Sequence, residues 1–181
     1  MDTWVWIVLA VIVLAALALV AAAAMRKRRS EQLREGFGPE YDRVVEDIGD
    51  RRAAEHELSE RRKRHEELEI VSLSDGVRAR YTEEWKQVQA HFVDEPETAV
   101  READELVQRV MSDRGYPVAD DFERRAADVS VDYPDVVENF RVGHRLAGAS
   151  DTESLRQAMV HFRSLFAELL EGDRDREEVR S

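Results

Sequence analysis

The stretch WVWIVLAVIVLAALALVAAAAM, residues 4–25, runs directly into Arg26, Lys27, Arg28 and Arg29, and it decides the architecture expected of this chain. It holds 22 consecutive residues without a charged or strongly polar side chain. At 1.5 Å per residue that is roughly 33 Å of helix, enough for a hydrocarbon core of about 30 Å. A cleaved signal peptide would instead carry positive charge before a shorter apolar stretch. Here only Asp2 is charged ahead of the run, and four basic residues oppose translocation just past Ala22-Ala23-Ala24. The expectation is an uncleaved single-pass anchor in the cell membrane. Basic charge on its C-terminal side makes that side cytoplasmic, with the N-terminus outside and Trp4 and Trp6 at the outer interface. Arg26, Lys27, Arg28 and Arg29 are read as a stop-transfer flank in preference to an anionic-lipid patch.

Beyond the anchor the composition changes character. Residues 1–29 carry a net +3, so the chain's −12 leaves −15 on the remainder. Acidity of that size repels phosphate backbones, which argues against nucleic acid as a partner. The absence of cysteine excludes disulfides, thiolate catalysis, Cys-based metal sites and a lipid-modified cysteine.

Residues 30–39 are expected to continue the anchor helix briefly and then to hinge or change direction sharply at Gly36-Phe37-Gly38-Pro39. Residues 40–72 read as a strut built on one long helix. Tyr41, Val44, Val45 and Ile48 form an apolar stripe at its start. Between Asp50 and Glu69 only Ala53, Ala54, Leu58 and Leu68 are apolar, while opposite charges recur four apart, as in Arg51/Glu55 and Glu57/Arg61. A solvent-exposed helix is therefore expected there.

Residues 73–172 read as a bundle of about five short amphipathic helices, and 173–181 as a charged tail. Ser72 or Ser74 caps the first helix, with Val77, Tyr81, Trp85, Val88 and Phe92 on one face. Asp94 with Glu97 resembles a capping box ahead of Val100, Ala103, Val107 and Val110, and Gly115 with Pro117 ends that helix. Asp120 opens a third helix and Asp132 a fourth, through Val137, Phe140 and Ala147. Ser150 with Glu153 starts the last, which carries Leu155, Met159, Phe162, Phe166 and Leu169 and closes at Gly172. The fold class expected is all-α, around a core of Trp85, Phe92, Phe140, Phe162 and Phe166.

Motifs for chemistry are sparse. No two of His56, His65, His91, His144 and His161 stand three or four apart, and none follows a Glu by three, so no helix presents a metal clamp. His91, His144 and His161 flank apolar stripes and could meet inside the bundle. Phosphate-binding glycine patterns and nucleophile elbows are absent. No catalytic, cofactor-binding or metal residue is assigned, and the chain is not expected to be an enzyme.

Phe37-Gly38-Pro39-Glu40-Tyr41-Asp42-Arg43, Arg80-Tyr81 with Trp85, and Phe92-Val93-Asp94 are joined by Arg114-Gly115-Tyr116-Pro117, Asp132-Tyr133-Pro134 with Glu138-Asn139, and residues 156–161. Together they resemble an uncharacterised, mostly actinobacterial family described as hypothetical, membrane or secreted proteins, over roughly residues 37–170. The resemblance implies no activity and carries over no site residue. The expected function is a membrane-anchored interaction or scaffold module for an unidentified protein partner. The alternatives are an envelope-facing structural protein, or a small-ligand sensor or enzyme with a site inside the bundle.

Overall fold

The computed structural model describes residues 3–117 and 121–171, without the side chains of residues 3, 5 and 7–11. Seven helices follow one another among the described residues: α1 (Thr3–Ile48), α2 (Arg51–Glu66), α3 (Asp75–His91), α4 (Pro96–Asp113), α5 (Phe122–Val129), α6 (Val137–Leu146) and α7 (Thr152–Glu171). No strand occurs among them, so the chain is all-α. Among the residues described with their side chains, no helix is long and apolar enough to cross a membrane. The run expected to do so includes residues 7–11, whose side chains lie outside that description.

The first helix is two limbs joined at Gly38, whose φ of 45° and ψ of −126° are not helical. An L side chain is strained at that backbone position, and Pro39 then opens the second limb with its φ already fixed. The second limb, residues 39–48, folds back beside the first. Ser30 Oγ lies 3.5 Å from Tyr41 Oη, and Arg34 Nη2 lies 3.2 Å from Asp42 Oδ1. A straight helix would separate the Cα atoms of residues 30 and 41 by roughly 16 Å, beyond the joint reach of Ser and Tyr.

A second reversal follows immediately. Gly49 adopts φ 72° and donates its N–H to Val45 O, ending α1. Asp50 caps α2 by accepting from Ala53 N at 2.8 Å. Residues 40–69 are thus two antiparallel segments, which corrects the expectation of one long helix. The exposed strut is corrected too, because Ala54 and Leu58 are fully buried. Standing four apart, they share the face of α2 that packs with Leu33, Phe37, Tyr41 and Val44. Ile48, expected on the packed stripe, is 43% exposed at the tip.

The distal bundle follows the apolar pattern closely. Helix α7 packs against both α6 and α4, and α3 lies on α4. Trp85 stacks on Phe166 with centroids 4.7 Å apart, and Phe140 meets Phe162 edge-on at 6.2 Å. Gly143 lets α6 approach α7, since a Cβ there would stand 3.3 Å from the Phe162 ring. Gly115, at φ 95°, lies under the connector from α2, where a Cβ would fall 2.3 Å from Glu69 O.

Several expected caps are displaced. Ser74 does cap α3, accepting from Val77 N. Helix α4 instead starts after Glu95 with Pro96 in its first turn and no side-chain cap, so the Asp94/Glu97 box does not form. Asp151, in place of Ser150, accepts from Ser154 N at 2.8 Å. Helix α6 begins at Val137, five residues beyond Asp132, whose carboxylate accepts from Tyr116 Oη. Asp121 caps α5. Asp120, Gly172 and the 173–181 tail lie outside the described residues.

Candidate functional site where the hairpin meets the apolar run

Helix α2 runs alongside the first limb of α1 in the same direction. Arg51 and Glu55 meet Ser30, Ser59 meets Arg29, and Arg62 lies against Phe37. The start of α2 is therefore beside the end of the apolar run. Its first two residues, Arg51 and Arg52, line a cleft of about 630 Å³ together with Arg26, Lys27, Arg29, Ser30, Glu55 and His56.

A polar cluster floors this cleft. Glu55 Oε1 accepts from Ser30 Oγ at 2.6 Å, Tyr41 Oη at 2.8 Å and Arg51 Nε at 2.9 Å. Arg51 also donates to Tyr41 Oη at 3.1 Å and, through Nη2, to Ser30 Oγ. Partial burial pushes the Glu55 pKa up, but these three donors outweigh it and hold the carboxyl below its usual range. Its charge is thus spent within the floor. Arg29 is fixed by Ser59 Oγ at 2.7 Å. Neither Arg26 nor Arg52 meets a carboxylate among the described residues.

The opposite end of the hairpin is clasped to the bundle by one buried carboxylate. Glu40, 2% exposed, accepts two N–H groups from Arg141 at 2.8 and 3.0 Å and two from Arg43 at 2.9 and 3.0 Å. Arg61 adds a fifth at 2.9 Å. Burial alone would raise the Glu40 pKa, yet the hydrogen bonds and charges of Arg43 and Arg141 bring it down to about 2. Arg141 is itself 3% exposed and also reaches Glu123 at 3.3 Å, so α6 is tied to the hairpin through ions. A second tie runs from His65 Nε2 to Asp132 Oδ2 at 2.5 Å, on the carboxylate that also accepts a hydrogen bond from the Tyr116 hydroxyl.

Of the residues singled out from sequence, Arg26, Lys27 and Arg29 line the cleft, while Arg28 is exposed beside it. Trp4 and Trp6 are about 60% exposed near the far end of the first limb. Sequence reasoning missed Ser30, Arg51, Arg52, Glu55 and the Glu40 clasp. The available signal was the pair of turn sequences, Gly38-Pro39 and Gly49-Asp50, which bracket a limb about as long as residues 26–37.

The three histidines that could have met inside the bundle take separate partners. His91 bonds Glu102 at 2.9 Å, His161 bonds Asn139 at 3.1 Å, and His144 stacks on Phe122 with centroids 3.7 Å apart. Among the described residues no group of three His, Asp or Glu is placed to hold a metal ion. No family model, curated protein or solved structure matches the chain.

Proposed function

We propose that this chain is a single-pass membrane-anchored helical protein that presents its bundle to a protein partner at the cytoplasmic membrane. The observation that carries this reading is the exposure of the apolar run. Ile12, Val13, Leu14, Leu17, Leu19, Val20 and Met25 are each at least half exposed, so no described residue covers them. A helix apolar on all sides needs an apolar surrounding. Residues 26–29 supply the positive flank that favours a cytoplasmic bundle, and Trp4 and Trp6 suit the opposite interface.

The clasp adds what a scaffold requires. A bundle on a free strut would sample many orientations, whereas Glu40 and Arg141 fix it to the hairpin that continues from the anchor. Any partner docked on the bundle is then held at a set place relative to the bilayer.

Alkaline extraction of membranes tests the anchor, and the protein should stay in the pellet. Protease accessibility of a C-terminal tag tests its direction, with protection expected in intact cells and digestion after permeabilisation. Digestion in intact cells would move the bundle to the envelope side. Cross-linking in membranes should recover a protein partner, and retention of none across several growth states would contradict the scaffold role.

A further inference from the structure

We infer that the cleft between residues 26–30 and the start of α2 binds the phosphate head groups of anionic phospholipids, an inference that rests on the membrane anchor. The fold carries the first argument. Residues 26–37 descend roughly 18 Å from the apolar run, and residues 39–48 return by roughly 15 Å. The Gly49-Asp50 turn therefore comes back to the level of Arg28 and Arg29, where the head groups of the anchored bilayer would lie. Ile48, exposed beside that turn, presents an apolar side chain at the same level.

Charge carries the second. Five cationic side chains line the cleft, and its single carboxylate, Glu55, is consumed by three donors in the floor. The rest of this chain is strongly acidic and would be repelled by an anionic surface, so the concentration of cations here is local. Helix α2 also opens on Arg51 and Arg52 with no acidic residue in its first turn. Asp50, the cap, is the one carboxylate at that helix end, so Arg51 and Arg52 leave it net positive. Arginine forks suit phosphate oxygens, and among the described residues Arg26, Arg29 and Arg52 meet no carboxylate, Arg29 being held by the Ser59 hydroxyl, while Arg51 pairs with Glu55 and Lys27 with Glu31.

The test uses the full chain in micelles containing equal phosphatidylcholine and phosphatidylglycerol, with retained lipids read by native mass spectrometry. Wild type should retain phosphatidylglycerol in preference, and Arg26→Gln with Arg52→Gln should lower that preference about tenfold or more, two basic residues' share of the attraction. Arg101→Gln with Arg163→Gln changes charge equally on exposed bundle positions and should leave it intact. Should the first pair lose helical structure by circular dichroism, Arg52→Glu alone carries the test, since that side chain is exposed.

Equal retention of both lipids by wild type, or an equal loss in the bundle pair, would overturn the inference. Displacement of phosphatidylglycerol by millimolar inorganic phosphate would assign the cleft to a soluble anion and overturn it too. A chain that resists alkaline extraction yet shows no lipid preference refutes only this site. A chain that is extracted refutes the anchor beneath it.

Discussion

Among the described residues the distal bundle buries twenty-five apolar side chains in one cluster, whereas the hairpin next to the apolar run buries six. The bundle is held as most helical domains are, by shape and apolar area. The hairpin has too little of either, and its two ends are finished with polar clusters: Ser30, Tyr41, Arg51 and Glu55 at the end beside the apolar run, and Glu40 with three arginines at the bundle end. Apolar contacts tolerate small shifts of register, whereas a bidentate arginine–carboxylate pair does not. The difference teaches that the hairpin is built for placement, with the bundle supplying the stability that holds it.

The largest break in that comparison comes from Glu40. Replacing it with Ala strands Arg43, Arg61 and Arg141 around a buried vacancy, with an expected loss of about 3–5 kcal/mol in chemical denaturation. Hydrogen exchange should accelerate first in residues 39–66, with α4 and α7 still protected. Simultaneous loss in both regions would mean that they form one cooperative unit.

Acid should reach the same clasp. The folded-state pKa of Glu40 is lowered to about 2 from an ordinary 4.5, so its contribution is complete above about pH 4.5 and fades as pH falls toward 2. Asp104 and Asp128 are shifted upward by burial and act in the opposite direction. Comparing wild type with Glu40→Gln across that window isolates the clasp, and the gap in hairpin protection should close at the acid end.

Leu58→Ala sharpens the contrast, because it removes one of only two fully buried apolar side chains of α2. The expected cost is about 2–5 kcal/mol, confined to the hairpin by hydrogen exchange. Gly38→Ala should cost about 1–3 kcal/mol, through backbone strain at a left-handed φ. Its Cβ would meet only Asp135 Oδ1, at 3.6 Å, so strain rather than crowding should account for the loss.

The two regions also differ in how much of them the sequence reveals. Ser74 and Gly115 act on backbone groups a few residues away, and the stripes around Trp85 and Phe162 repeat over several turns, so local reading places the bundle's helices even though it misassigns the caps of α4, α6 and α7. The hairpin depends on partners across two reversals. Ala54 and Leu58 are a faint stripe in a highly charged segment, and their packing surface is assembled from both limbs of α1. Glu40 is one acid among 39. Nothing in its neighbourhood marks it for burial, because Arg141 arrives from 101 residues away. Gly36 to Pro39 does announce a hinge or a sharp change of direction, but not which of the two, nor what the returning limb packs against.

The reversal at Gly38 underlies the cleft, the clasp and the placement of the bundle. Spin labels at Lys27→Cys and Arg52→Cys, in a chain with no native cysteine, measure it directly in bilayer discs. With α2 returned to the first limb of α1, the label separation should be narrow and below about 20 Å, against roughly 37 Å for the same 25 residues in straight helix. A distribution centred above about 30 Å would mean that residues 39–66 extend away from the anchor as a strut, and would contradict the returned hairpin.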